Sequence, residues 1–180
     1  MTAQHYFSAT PDGPLERRRV VANLRGRTVT VITAGGTFSP EHVDRGTQAL
    51  LHAAPPPPST GTALDLGCGW GPIALALALE SPELDVRAVD VNERALLLTG
   101  ENAQALGLEN IPPTRPEDVP EDTTFDLIWS NPPIRIGKDA LHELLSAWLP
   151  RLSAEGEAWL VVAKKLGGDS LESWIAAQFG

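Results

Sequence analysis

Ala63-Leu64-Asp65-Leu66-Gly67-Cys68-Gly69-Trp70-Gly71-Pro72 is the stretch that decides the fold. An apolar run ends in an acid, three glycines follow at every second position, and a helical pattern begins after them. A strand that turns sharply into a helix needs glycine, which tolerates positive φ and has no Cβ to block a ligand. Pro72 suits the first helical position, where its missing N–H is no loss. The spacing Asp-x-Gly-x-Gly-x-Gly departs from the Gly-x-Gly-x-x-Gly that seats a pyrophosphate on a helix N-terminus.

Two further stretches support a ligand-binding reading over a plain structural turn. Val86-Arg87-Ala88-Val89-Asp90-Val91-Asn92 is a second strand ending in an acid. There a Rossmann-like site places a carboxylate for two ribose hydroxyls. Asp90 can also help start the next helix, with Asn92 as its cap, and the two roles are compatible. The glycine spacing therefore points to a nucleoside joined to an amino acid, S-adenosylmethionine. Downstream, Phe125-Asp126-Leu127-Ile128-Trp129-Ser130 runs into Asn131-Pro132-Pro133-Ile134. Each proline biases its predecessor toward extended geometry and has no N–H to donate. The Asn131 amide oxygen and the Pro132 carbonyl are then available to accept the two hydrogens of an exocyclic amine. Accepting both favours a pyramidal nitrogen whose lone pair can attack an electrophilic methyl, which is stabilisation aimed at the transition state.

On these motifs the chain resembles the class I S-adenosylmethionine-dependent methyltransferases, and within them the small-domain group related to bacterial 16S ribosomal RNA guanine-N2 methyltransferases. The resemblance runs from about Gly35 to Gly180 and adds Gly36-Thr37-Phe38-Ser39, Val43-Asp44-Arg45-Gly46-Thr47 and Asn131 through Lys138. It implies a Rossmann-like α/β sheet with helices on both faces, preceded by an N-terminal β-hairpin extension. It also implies methyl transfer to an amine nitrogen, guanine N2 in RNA being the leading candidate. S-adenosylhomocysteine would be the product, and no metal is called for. Rivals are methylation of a protein or small-molecule amine, and an inactive or truncated module that only binds the cofactor.

The implied cofactor contacts are Asp65, Gly67, Gly69 and Gly71 around the methionine end, Asp90 at the ribose, and Glu117 or Asp118 at the adenine edge. Phe38 and Thr47 come from the upstream segment that closes over the cofactor, although Phe38 could equally be core. Asn131 and Pro132 would hold the target amine; Pro133, Ile134, Arg135 and Lys138 would meet the substrate, unless Lys138 merely starts a helix. His142 and His5 read as surface or packing residues, because a newly methylated nitrogen loses its proton to solvent without a dedicated base.

The chain of 180 residues can bury a real core, and 42% hydrophobic with 21% charged residues is an ordinary globular composition. Cys68 is the sole cysteine, which excludes an internal disulfide and a cysteine-rich metal site. No apolar run reaches membrane-spanning length and no secretory signal is evident, so the expectation is a cytoplasmic protein without a membrane partner. A net charge of −9 leaves the substrate open. Arg17, Arg18, Arg19, Arg25 and Arg27 crowd one segment, able either to touch phosphates of an RNA partner or to line a solvated hairpin face.

Residues 1–60 read as an extension carrying a hairpin (Val20–Leu24, Thr28–Thr33) and a short helix (Asp44–Ala53), and residues 61–180 as the cofactor-binding core. In the core, helices Ile73–Leu79, Arg94–Leu106, Asp139–Leu149 and Leu171–Phe179 alternate with strands, Glu157–Ala163 among them, as parallel sheets require. Ile111-Pro112-Pro113-Thr114-Arg115-Pro116 falls where a third core strand belongs, and three prolines there break its regularity. The resemblance implies two more strands after the last helix. Without them an edge stays open, suggesting truncation or cover by a partner or second copy.

Overall fold

The computed structural model describes residues 9–180, so His5 lies outside the described residues. The hairpin is β1 (Arg17–Leu24) and β2 (Arg27–Ala34), antiparallel with Leu24 facing Arg27. Then come α1 (Arg45–Ala53), β3 (Thr60–Leu66), α2 (Pro72–Glu80), β4 (Glu83–Val89), α3 (Glu93–Ala105), β5 (Pro113–Thr114), β6 (Phe125–Ser130), α4 (Lys138–Trp148), β7 (Leu152–Leu160) and α5 (Gly168–Phe179). Strands β3 to β7 form one parallel sheet in the order β5-β4-β3-β6-β7. The chain moves outward from β3 through β4 to β5, then returns to the other flank of β3 with β6. The order therefore reverses between β3 and β6, where open α/β sheets bind ligands.

Burial follows from the sequence. Ala63, Leu64, Leu66, Ile128 and Trp129 are fully or nearly fully enclosed because β3 and β6 are central, covered on both faces. Helix α2 is apolar all round, with Ile73 to Ala78 all buried, since it lies under the hairpin as well as against the sheet. The hairpin shares this core: Ala22, Leu24, Val31 and Ala34 cluster with Leu75, Leu77 and Trp129. Asn102 of α3 closes the edge of β2, accepting from Ile32 N (2.6 Å) and donating to Ile32 O (2.9 Å).

Arg25 is the clasp at the hairpin tip, held at φ 52°. Its guanidinium meets Glu80 (2.5 Å), donates to the Leu51 and Ala54 carbonyls at the end of α1 (2.6 and 3.0 Å), and lies 5.5 Å from the Trp129 ring centre. Arg17 is bound to Glu101 through two hydrogen bonds. Two of the five clustered arginines are therefore structural clamps, which narrows the phosphate-binding alternative for that segment.

The prolines reduce β5 to two residues, as an edge position allows. Strand β7 begins at Leu152, five residues before the expected start, and ends at Leu160. Its pairing explains the difference: Leu152 faces Phe125 but Glu157 faces Leu127, so extra residues are accommodated between them. A strand interrupted in this way shows no clean apolar pattern.

Candidate active site

The glycine loop is held on a scaffold of backbone and buried polar groups. Gly67 N and Cys68 N both donate to Val89 O at the end of β4 (2.8 and 3.0 Å). Gly69 N donates to Asp90 Oδ2 (2.9 Å), and Thr99 Oγ1 of α3 donates to Gly69 O (2.9 Å). Gly67 and Gly69 sit at φ 78° and 58°, and a Cβ at either would meet nothing within 4 Å. Their open side is the floor of a narrow cleft whose walls include Phe38, Asp44, Thr47 and Asn131.

Asp65 is wholly buried on β3. Its Oδ2 accepts from Ala74 N (2.9 Å), an N-terminal amide of α2 that the helix cannot satisfy itself, because Gly71 at the cap has no side chain. Its Oδ1 has no partner among the described residues. Burial pushes the Asp65 carboxyl up to about 8, against the pull of the Ala74 amide and with a further push from Asp90. An orphaned buried acceptor costs about 1–3 kcal/mol unless a donor completes it. An ammonium group is such a donor, so Asp65 and the open glycine floor fit the amino-acid end of S-adenosylmethionine.

Asp90 engages both oxygens, Oδ2 with Gly69 N and Oδ1 with Asn92 N (2.9 Å each). Each oxygen keeps a second lone pair, so the carboxylate can still accept from a diol. Burial raises its pKa and these amides draw it back. Asn92 caps α3 by accepting from Arg94 N and Ala95 N (2.9 and 3.2 Å). Glu117 and Asp118 are exposed on the 3-10 turn after β5, whose Thr114 O accepts from Asp90 N (3.4 Å), and neither lines the cleft.

The upper wall is the segment from Gly35 to Asp44, fastened down from below. Trp70 Nε1 donates to Ser39 O (3.1 Å), Asn92 Nδ2 to Gly36 O (2.7 Å) and Arg94 Nη1 to Gly35 O (2.6 Å), while Thr33 Oγ1 bonds Pro40 O. Phe38 is 47% exposed on the cleft wall, so it is not a core residue. Sequence reading did not find Trp70 as the pin; its position inside the glycine loop, with a ring N–H that must find a partner when buried, was the available signal.

Asn131 follows β6 directly across the switch point. Its Nδ2 donates to Asp44 Oδ2 (2.9 Å) and to Thr47 Oγ1 (3.1 Å), which leaves Oδ1 as the open acceptor. Asp44 Oδ2 also accepts from Gly46 N (2.8 Å) and Thr47 N (3.4 Å), so one carboxylate oxygen both caps α1 and orients the amide. Gly46 permits this approach: a Cβ there would stand 2.9 Å from Asp44 Oδ2 and 3.3 Å from Asn131 Nδ2. Asp44 and Gly46 as orienting groups were not legible, since 87 residues separate Asp44 from Asn131. Pro132 is buried, and its carbonyl accepts from Ile134 N (2.9 Å), keeping one lone pair. Pro133 and Ile134 are half-buried, Arg135 and Lys138 are exposed, and Lys138 is the first residue of α4.

Cys68 is buried with its thiol pushed well up by burial, which removes it as a nucleophile. His142 stacks on Trp174 at 3.8 Å between ring centres, a packing role. Among the described residues no cluster of three His, Cys, Asp or Glu is placed to hold a metal ion, and no helix is long and apolar enough to cross a membrane.

Comparison with known proteins identifies the family. The methyltransferase small domain family model matches residues 28–180. A Bacillus subtilis protein, the uncharacterized protein YbxB, is 36% identical over 171 residues, covering 93% of this chain and 85% of its own length. Ribosomal RNA small subunit methyltransferase C of Shewanella amazonensis is 32% identical over 146 residues, 79% of this chain but 42% of that protein. The solved structure of T. thermophilus 16S rRNA N2 G1207 methyltransferase (RsmC), in complex with AdoMet and guanosine, superposes with a TM-score of 0.76 at 27% identity, over 89% of this chain and 46% of that one. The chain thus spans less than half the length of these ribosomal RNA enzymes.

Proposed function

The chain belongs to the methyltransferase small domain family and is an S-adenosylmethionine-dependent methyltransferase, and on that premise we propose that it methylates the exocyclic N2 of guanine in ribosomal RNA. The observation that carries this reading is the locked Asn131 amide, both of whose hydrogens are committed to Asp44 and Thr47. Rotation of the amide would set its NH2 against the target N–H groups and its oxygen against the Asp44 carboxylate, which can only accept. The lock therefore keeps Oδ1 toward the amine. The guanosine bound by the Thermus relative supports the choice of a guanine amine.

When bound, S-adenosylmethionine would supply an electrophilic methyl, with S-adenosylhomocysteine as the product left behind. Gly67 and Gly69 form the floor under its amino-acid part, Asp65 and Asp90 supply acceptors, and Phe38 closes the wall. Asn131 Oδ1 and the remaining Pro132 lone pair accept the two N–H bonds of the amine, favouring the pyramidal nitrogen in which the lone pair is released from the ring. Positive charge then develops on the nitrogen beside two oxygen dipoles already aimed at it, so no reorganisation is required. Holding nitrogen and methyl in line supplies the rest. The proton lost from the methylated amine passes to solvent.

Incubation of the purified chain with radiolabelled S-adenosylmethionine, 16S ribosomal RNA and small ribosomal subunits, followed by nucleoside digestion, tests the proposal. N2-methylguanosine is the expected product. Label confined to protein or to small amines, or absent despite cofactor binding, overturns the guanine assignment.

A further inference from the structure

The loops after β6 and β7 repeat one another. Ile134–Ile136 and Lys164–Leu166 are each a single 3-10 turn, closed by Gly137 N to Ile134 O (3.3 Å) and Gly167 N to Lys164 O (3.0 Å). Gly137 and Gly167 follow, both at positive φ (102° and 95°) though at different ψ (159° and 21°), and each heads a helix with no side-chain cap. Asp139 and Asp169 lie in the first turns of these helices, and Leu141 and Leu171 pack into one shared cluster with Ile134, Ile136, Leu160 and Val162. Since Ser130 pairs with Leu160, the two turns stand side by side beyond the carboxyl ends of neighbouring strands, next to Asn131.

Their charge sets them apart. Residues 131–138 and 161–168 contain Arg135, Lys138, Lys164 and Lys165 and no acid, a net of +4 that leaves −13 for the rest of a −9 chain. All three lysines of the protein are here. Most arginines elsewhere are committed: Arg17, Arg25, Arg87 and Arg115 to carboxylates within 3.0 Å, Arg94 and Arg151 to carbonyls, and Arg18 loosely to Glu41. In the paired turns one weak contact is made, Lys164 Nζ to Asp169 Oδ1 at 3.9 Å between side chains 88% and 75% exposed. A helix N-terminus without a side-chain cap presents free N–H groups and the positive end of its dipole, and two of them flank these cations.

We propose that the twin turns 134–138 and 164–168 form a track for the phosphate backbone of the RNA strand that carries the target nucleotide. This rests on the RNA reading above. Neighbouring strands lie about 4.8 Å apart, so the turns can meet phosphates close together on one strand while Asn131 reaches the base between them and the cofactor. Asp139 and Asp169 follow one residue into each helix, and Asp169 meets Lys164 only at 3.9 Å, too loosely to neutralise it. The track answers the puzzle of a strongly acidic protein with a polyanionic substrate: its positive charge is concentrated at one rim.

The test is the salt dependence of 16S ribosomal RNA binding for the wild type, Lys164→Gln/Lys165→Gln, and Arg19→Gln/Arg27→Gln as a control that removes two hairpin cations. Loss of two phosphate contacts should lower the slope of log K against log salt by about 1.4–1.8 and weaken binding on the order of tenfold at low salt. Calorimetric affinity for S-adenosylmethionine should not move, since the lysines touch no part of the glycine cleft. The control pair should leave the slope in place. A wild type that binds RNA with a slope the lysine variant does not change, or that the control pair changes equally, overturns the track and leaves the RNA reading standing. A wild type that neither binds nor methylates RNA overturns the RNA reading itself, and the track with it.

Discussion

The two flanks of the carboxyl edge are opposite in character. At the carboxyl ends of β3, β4 and β5 lie Asp65, Asp90, Glu117 and Asp118, Asp65 buried and Asp90 half-buried beneath the glycine loop that floors the cleft. Beyond β6 and β7 lie Arg135, Lys138, Lys164 and Lys165, all exposed on an open rim. Asn131 sits on the boundary, at the topological switch between β3 and β6. The closed acidic flank suits a small, positively charged nucleoside-amino acid, whose binding must displace water. The open basic flank suits a long polyanion, for which screened surface attraction is enough. One sheet edge can therefore serve two ligands of opposite charge without the sites competing.

The largest effect expected is at the boundary. Asn131→Ala should lower methyl transfer by about 10²–10³-fold, the range seen when one oriented transition-state partner is removed. Cofactor affinity should stay within about twofold, a small fraction of the 1.4 kcal/mol that a tenfold change represents. Equal loss of both would erase the distinction between the flanks, and undiminished transfer would sink the proposed amine contact. Next comes the acidic flank. Asp90→Ala removes two charge-assisted bonds and should weaken cofactor binding by about 10–100-fold in calorimetry, leaving RNA affinity alone.

Asp44→Asn is a subtler probe. Asparagine caps a helix as well as aspartate does, so the unfolding midpoint should hold. A neutral amide oxygen is a weaker acceptor for Asn131 Nδ2, and transfer should fall about tenfold, as for one charge-assisted hydrogen bond made neutral. In an Asn131→Ala background the same change should have no further effect; additivity would show that Asp44 acts only through the helix.

The smallest effect is a pH signature of burial. Asp65 holds its proton up to about 8 in the folded chain, whereas an unfolded aspartate loses it near 3.9. Between these values the folded state binds more protons, so Asp65 makes stability decline as pH rises through that window. Below it both states are protonated and the residue contributes nothing. Asp65→Asn should flatten that decline between pH 5 and 8 in urea titrations, while the amide oxygen still accepts from Ala74 N. An unchanged pH profile would mean the carboxylate finds a counter-charge in the cleft.

Much of the architecture was legible in local pattern. The apolar runs of β3, β4 and β6, the terminal acids of the first two and the glycine loop are short-range signals, and the helices between them carry apolar faces. The prolines near Pro113 announced a weak edge strand, and a two-residue strand is what forms. The start of β7 was hidden, because a pairing irregularity breaks the alternation that marks a strand. The arginine cluster was ambiguous for a different reason: a guanidinium reads alike whether it meets phosphate or, as Arg17 and Arg25 do, a carboxylate brought from far along the chain.

By itself the sequence determined the sheet, the glycine turn and the identity of the asparagine proposed to hold the amine, because each depends on residues within one turn or strand of each other. Tertiary structure alone decided which way that asparagine points, what pins the Gly35–Asp44 wall, and that the three lysines share a rim. Those facts depend on contacts between elements 30 to 90 residues apart, and a hydrogen bond across such a distance leaves no periodicity behind.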